Sequence, residues 1–225
     1  MSALAKAEAR ALQPRNATED AILAAARDAL AEVPYDELRM DAIARRAFVS
    51  RTTVYFYFDN KRALVDRLIQ QAFADMRAAA APYLDGAGEP RLELRLALTR
   101  VIGVVNANEH VLLLAAQLFG QGEHLPSEWE PYIRRFVVEA TARIRRDQER
   151  GIAPDDIDAS ISAQALCAMV ERHVTMEIIR GGRQITESVR VLSELWWRAV
   201  YAPAIPARRE PQARGSRRPR ARSRR

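Results

Sequence analysis

Residues 39–61, RMDAIARRAFVSRTTVYFYFDNK, carry the pattern on which the fold turns. They read as two short helices around a tight turn. The first spans about Met40 to Arg46, with Ile43 and Ala47 one helical turn apart, and the turn is Ala47-Phe48-Val49. Ser50 opens the second, which ends near Tyr57. A serine there can accept a hydrogen bond from the backbone N–H of Thr52 or Thr53 and so fix where the helix begins. Ile43, Ala47, Val49, Val54 and Phe58 then point inward, while Arg51, Thr52, Thr53, Tyr55 and Tyr57 face outward. A helix this short would enter a DNA major groove by its N-terminal end, where hydroxyls and a guanidinium reach base edges and free amides meet phosphate.

Outward from this stretch the chain reads as helix almost throughout. Glycine is scarce, Ala, Leu, Arg and Glu are abundant, and no segment sustains the period-two alternation of a strand. The expectation is an all-α protein of nine helices. One helix precedes the quoted stretch, capped at the Thr18-Glu19-Asp20 cluster, with Ile22, Leu23, Ala26 and Leu30 on its buried face and Pro34 at its stop. A long helix follows it after Asn60, with Leu64, Leu68 and Ala72 flanked by Val65, Ile69 and Phe73. Pro82 and the run Asp85 to Pro90 form the clearest loop. Five more helices are expected over about 91–107, 109–119, 127–150, 157–180 and 186–201, each break marked by glycine or proline. The predicted organisation is a flexible arm over 1–15, a helix-turn-helix module over 16–62, a connecting helix over 63–80, a second helical domain over 81–202, and a disordered Arg-rich tail over 203–225. Apolar stripes at Leu166, Met169, Val170 and Val174, and at Val189, Leu192, Leu195, Trp196 and Ala199, suit either a core or a dimer.

Charge is unevenly placed. The chain has a formal net charge of +6, but residues 203–225 hold nine arginines against Glu210 alone, so the remainder is slightly acidic. Within that acidic body, Arg39, Arg45, Arg46, Arg51, Lys61 and Arg62 stand against Asp41 and Asp59, giving the quoted stretch its own basic excess. No apolar run approaches the ~18 residues of a membrane span, and the first residues lack the apolar stretch of an export signal, so a cytoplasmic location with no membrane partner is expected. The single Cys167 forbids an internal disulfide. His110, His124 and His173 stand at no metal-ligand spacing, so neither a metal nor a cofactor is expected.

The run Ser50-Arg51-Thr52-Thr53-Val54-Tyr55-Phe56-Tyr57-Phe58-Asp59-Asn60-Lys61 with Leu64, and Asp41-Ala42-Ile43-Ala44 upstream, resembles the recognition signature of TetR-family regulators. The resemblance implies a three-helix DNA-binding module joined by a fourth helix to a regulatory domain, and a homodimer built on the last two helices. By that likeness Ser50, Arg51, Thr52, Thr53 and Tyr55 would meet bases or neighbouring phosphates, and Tyr57, Lys61 and Arg39 the DNA backbone. Two positions depart from the family pattern. Phe48 stands where the family usually has glycine, so either the turn uses another geometry or it is strained, because phenylalanine tolerates positive φ poorly. Arg39 stands where a capping Ser or Thr is usual. The second half resembles the branch of the mycobacterial repressor of ethionamide activation, through Arg145 to Pro154, Met169 to Arg172 and Trp196 to Tyr201. That likeness implies an elongated apolar tunnel with Leu98, Ile102, Phe136, Cys167, Val170 and Trp196 as candidate lining residues. Asparagines that the branch tends to carry align with Cys167 and Val170, which implies a small, more apolar effector.

Other readings compete with this one. Glu171-Arg172 could hold an internal ion pair near the tunnel or simply lie on a solvated face. A helical enzyme acting on an apolar substrate, with a vestigial DNA-binding motif, lacks support from any nucleophile-base pair, phosphate loop or metal spacing. A nucleoid-type binder would draw its affinity from the arginine tail, whose deletion would leave sequence-specific binding intact if the motif reads DNA.

Overall fold

The computed structural model describes residues 16–119, 130–179 and 185–202. The predicted arm and tail, the Gly120-Gln121-Gly122 and Pro126 breaks, and Gly181-Gly182 lie outside the described residues. Those residues form nine α-helices and one 3-10 turn, Tyr35–Glu37, without a strand among them. The helices are α1 Ala17–Glu32, α2 Met40–Arg46, α3 Arg51–Tyr57, α4 Lys61–Leu84 and α5 Pro90–Ala107. They continue with α6 Glu109–Phe119, α7 Glu130–Glu149, α8 Ala159–Ile179 and α9 Ile185–Tyr201.

Side-chain caps fix where the N-terminal helices begin. α1 is capped by Asn16, which accepts from the Thr18 N–H at 3.0 Å, two residues ahead of the expected threonine. The carboxylates of Glu19 and Asp20 then fall in the first turn, where they complement the helix dipole. Ser50 caps α3 through the Thr53 N–H at 3.0 Å, and Asn60 caps α4 through the Ala63 N–H at 2.9 Å. α2 has no side-chain cap, as Arg39 foretold. Ile22, Ile43, Val54, Leu64, Val65 and Leu68 are wholly buried together, so α4 is as much a part of this module's core as α1–α3. An ion pair of 2.8 Å between Arg67 and Glu19, each less than one-fifth exposed, fastens α4 to α1.

The turn between α2 and α3 keeps the geometry that glycine would favour. Val49 N–H bonds the Ala44 carbonyl at 3.0 Å and Phe48 N–H bonds that of Arg45 at 3.2 Å. This pair of bonds is a Schellman helix end, which places its closing residue in the left-handed region. Phe48 accordingly has φ +56°, and its ring is 96% exposed. The strain considered from the sequence is therefore present, and no packing of the ring compensates it.

α4 runs through Pro82 to Leu84, so the expected loop begins three residues later than its proline suggested. Proline forfeits one intrahelical bond there, and side chains from α7 satisfy the helix end instead. Arg143 Nη1 donates to the carbonyls of Tyr83 and Gly86, and Arg146 Nη2 to that of Leu84 at 2.5 Å. Gly86 is required at this bend, since a Cβ would lie 1.9 Å from the Pro82 carbonyl oxygen. α5 then starts with Pro90 in its first turn and Glu89 as its cap. α8 begins at Ala159 rather than 157, because the Asp158 carboxylate accepts from the Ile161 N–H at 2.8 Å.

Replacing Phe48 by Gly should raise stability by about 1 kcal/mol, the relief of left-handed strain less the extra backbone entropy of glycine. Urea denaturation monitored by circular dichroism checks this, and an unchanged or lowered midpoint would contradict the strain.

Candidate functional site

The outward face of α3 gathers most of the residues expected to meet DNA, though not all are equally free. Arg51, Thr52 and Tyr55 are exposed, with the Arg51 guanidinium 5.4 Å from the centre of the Tyr55 ring and 3.0 Å from an Asp41 carboxylate oxygen. The hydrogen bond to Tyr55, aided by the Asp41 charge, raises the pKa of Arg51. Arg39 is also exposed. Thr53 is half-buried, and its hydroxyl lies 2.7 Å from that of Ser50, so both are engaged in the cap. Tyr57 is half-buried as well, its hydroxyl accepting from the Asn16 side chain at 2.7 Å.

Lys61 turns inward. Its ammonium donates to the carbonyl of Tyr35 at 2.7 Å and to that of Asp36 at 3.4 Å, and sits 4.2 Å from the centre of the Tyr35 ring. The helix-opening position expected from sequence is correct, but the amine ties α4 to the turn between α1 and α2. Sequence reasoning passed over Phe56, which is 82% exposed beside Tyr57. The helical phase fixed by Ser50 separates it from the buried Phe58.

In the second half, α4 to α9 line a cavity of about 160 Å³. Leu98, Phe136, Cys167, Val170 and Trp196 line it, as expected, but Ile102 does not. At about 100° per residue, Leu94, Ala97, Leu98, Val101 and Val105 occupy one 100° arc of α5, and Ile102 falls roughly 40° beyond its edge. Ile102 is core, 2% exposed. Burial pushes the Cys167 thiol up to about 12, which keeps it protonated and inert. Glu171, which sequence left between ion pair and solvated face, is the single charged residue among the described residues of the lining. Its carboxylate accepts from the Thr175 hydroxyl at 3.0 Å, and burial raises its pKa above the usual carboxylate value.

One wall of the cavity opens into a polar chain. Trp196 Nε1 donates to the Tyr83 hydroxyl at 3.1 Å, that hydroxyl is 3.0 Å from the hydroxyl of Tyr201, and Tyr201 donates to Asp147 at 2.8 Å. Asp147 pairs with Arg143 at 2.6 Å, both fully buried, and Arg143 also meets Glu93 at 2.8 Å. Burial pushes the Tyr83 hydroxyl up to about 12, so it remains a neutral hydrogen-bonding group. Burial alone would lower the pKa of Arg143, but hydrogen bonds to Asp147 and Glu93 outweigh it and raise the value. The chain thus connects two cavity residues to the guanidinium that holds the end of α4. Trp197, next to inward-facing Trp196, instead stacks on Tyr201 at 4.7 Å.

Comparison with known proteins agrees with both halves. The profile of the family described as "Bacterial regulatory proteins, tetR family" matches residues 22–68, and that of "Transcriptional regulator EthR, C-terminal domain" matches residues 94–202. The HTH-type transcriptional regulator EthR of Mycolicibacterium smegmatis is 26% identical over 189 residues, covering 81% of this chain and 86% of that protein. Its namesake in Mycobacterium tuberculosis is 27% identical over 190 residues, covering 81% and 87%. Among solved structures, a TetR-like transcriptional regulator from Rhodococcus sp. RHA1 shares 25% identity at a TM-score of 0.56, covering 82% of this chain and 96% of that one. SmeT, the repressor of a Stenotrophomonas maltophilia multidrug efflux pump, shares the fold at a TM-score of 0.65 with 16% identity, covering 83% and 93%. The chain belongs to the TetR family, as a DNA-binding transcriptional regulator with a C-terminal domain of the EthR type. This is a family of regulators and not of enzymes, so the helical-enzyme reading falls away.

Arg143→Met should cost about 3–5 kcal/mol by leaving Asp147 buried without its partner, whereas Arg143→Met with Asp147→Leu should recover much of that loss. Denaturation midpoints of the two variants decide it; equal destabilisation would show that the pair does not act as a unit.

Proposed function

We propose that the chain is a homodimeric repressor that grips a palindromic operator with α3 and releases it when a small, predominantly apolar effector fills the cavity. The observation that carries this reading is the coexistence of an exposed, basic α3 face and a carbon-lined cavity, with α4 running from one to the other. Arg51, Thr52 and Tyr55 are assigned to bases and neighbouring phosphates, and Arg39 to the backbone. The capping bond of Ser50 sets the angle at which they are presented, with Thr53 and Tyr57 supporting it from the half-buried side.

Dimerisation is assigned to α8 and α9. Val189, Leu192 and Trp196 face the core of the protomer, while Val191 and Leu195, one turn apart on α9, and Ile161 on α8 remain exposed. An apolar outer stripe of this kind suits an isologous pairing, which would set two reading helices about 34–36 Å apart, one turn of DNA. Effector binding would move Tyr83 and Trp196, and with them the Asp147–Arg143 anchor of α4. A ligand shifts this balance only by its differential affinity for the two positions of that helix.

The test is a gel shift with DNA from upstream of the protein's own gene, with mass by light scattering. A dimer of the 25.3 kDa chain should bind, and Tyr55→Ala should weaken binding about tenfold or more, the scale of one lost base contact. Because Tyr55 lies on the surface, folding should be unaffected. Absence of a shifted band at low salt, or a monomer that binds as tightly as wild type predicts for the pair, would reject the proposal.

A further inference from the structure

Phe56 is 82% exposed, although phenylalanine is among the residues most often buried. At about 100° per residue, Arg51, Tyr55, Thr52 and Phe56 fall in that order within an arc of about 140° on α3, and the wholly buried Val54 lies about 160° from Phe56 on the opposite side. The arc has two edges of different chemistry. Along one, the Arg51 guanidinium lies 5.4 Å from the centre of the Tyr55 ring, so that edge carries hydrogen-bonding groups. Along the other, Thr52 and Phe56 stand one helical turn apart and offer a methyl group and an unsubstituted ring. The ring is held in place from behind. It meets the Tyr57 ring with centroids 5.2 Å apart and planes at 90°, and the Tyr57 hydroxyl is itself fixed by the Asn16 side chain at 2.7 Å.

Resting on the reading of α3 as the helix that enters the major groove, we propose that Phe56 is a specificity-determining residue that reads the C5 methyl group of a thymine. Among the groups that base pairs present in the major groove, that methyl is the apolar one. A phenyl ring has no hydrogen bond to give to a base edge or a phosphate, so burying it against polar atoms would strip their water and return nothing. Against a methyl group the same burial is favourable on both sides. A ring already positioned by Tyr57 also loses little freedom on docking. The Arg51–Tyr55 edge is then left to bases and phosphates that can pair with it, and the Thr52–Phe56 edge selects A·T at one fixed position of each half-site.

The full-length chain can be used to enrich binding sequences from a random duplex pool. The enriched duplex is then synthesised with deoxyuridine in place of each thymidine in turn, which removes the methyl and leaves base pairing unchanged. Wild type should lose about fourfold in affinity at one position of a half-site, and about fifteenfold when both half-sites are replaced, the scale of one buried methyl each. Phe56→Ala should bind the thymine duplex correspondingly less tightly and be indifferent to that replacement, while Phe56→Leu, which keeps an apolar surface, should retain most of the sensitivity. Equal urea midpoints show that the variants remain folded. The assignment is overturned if no thymine methyl affects wild type. It is equally overturned if Phe56→Ala keeps the wild-type loss at every sensitive position, since the methyl then acts on another residue or through the shape of the duplex. Failure of wild type to enrich any sequence is a distinct result, which refutes α3 as a reading helix and the role of Phe56 with it.

Discussion

The end of α4 is held by a guanidinium, and much of the molecule is organised around that contact. A helix terminus leaves carbonyls without intrahelical partners. Here a proline sits near the terminus as well, and Arg143 and Arg146 of α7 supply the missing donors. Arg143 can be buried only because Asp147 and Glu93 compensate its charge, and Asp147 in turn receives the Tyr201 hydroxyl. Five elements therefore meet at one ion pair: the end of α4, the bend after it, the start of α5, α7 and the end of α9. Such a pair contributes little net stability compared with an apolar replacement, yet losing one member is expensive. Its value here is positional, since it fixes where α4 stops and where the Tyr83 side of the cavity lies.

At the other end of the same helix the anchoring is of a different kind. Asn60 caps the first turn, the Lys61 ammonium reaches two carbonyls of the preceding connection, and Arg67 pairs with Glu19. The buried residues of α4 then complete the core of α1–α3. The reading module and the first half of α4 are consequently one packed body. The second half of α4, through Phe73, Met76, Ala80 and Tyr83, belongs to the wall of the cavity.

Much of this was legible in the residues before any coordinates. Helix number and type followed from glycine scarcity and apolar spacing, and Ser50 and Asn60 announced their helices because a capping side chain acts locally. Phe48 flagged the strained turn for the same reason. What sequence could not supply was anything decided by a distant partner. Pro82 looked like a terminator because the arginines that stabilise the helix beyond it lie some sixty residues later. The contacts of the Lys61 ammonium were not legible because the carbonyls that hold it belong to the 3-10 turn. Ile102 was expected on the cavity from the resemblance to the ethionamide-repressor branch, yet a rotation of about 40° around α5 puts it in the core. Glu171 remained undecided until the packing of α8 against its neighbours placed it among the cavity-lining residues.

The length of α4 gives the ion pair at its end a mechanical meaning. Twenty-four residues at 1.5 Å each make a rod of about 36 Å. With Arg143 as fulcrum, a tilt of only about 5° carries the far end through roughly 3 Å, close to the 3.4 Å rise between stacked base pairs. On the proposed reading, small displacements at the cavity end of α4 would thereby be magnified to the scale on which a duplex distinguishes one register from the next.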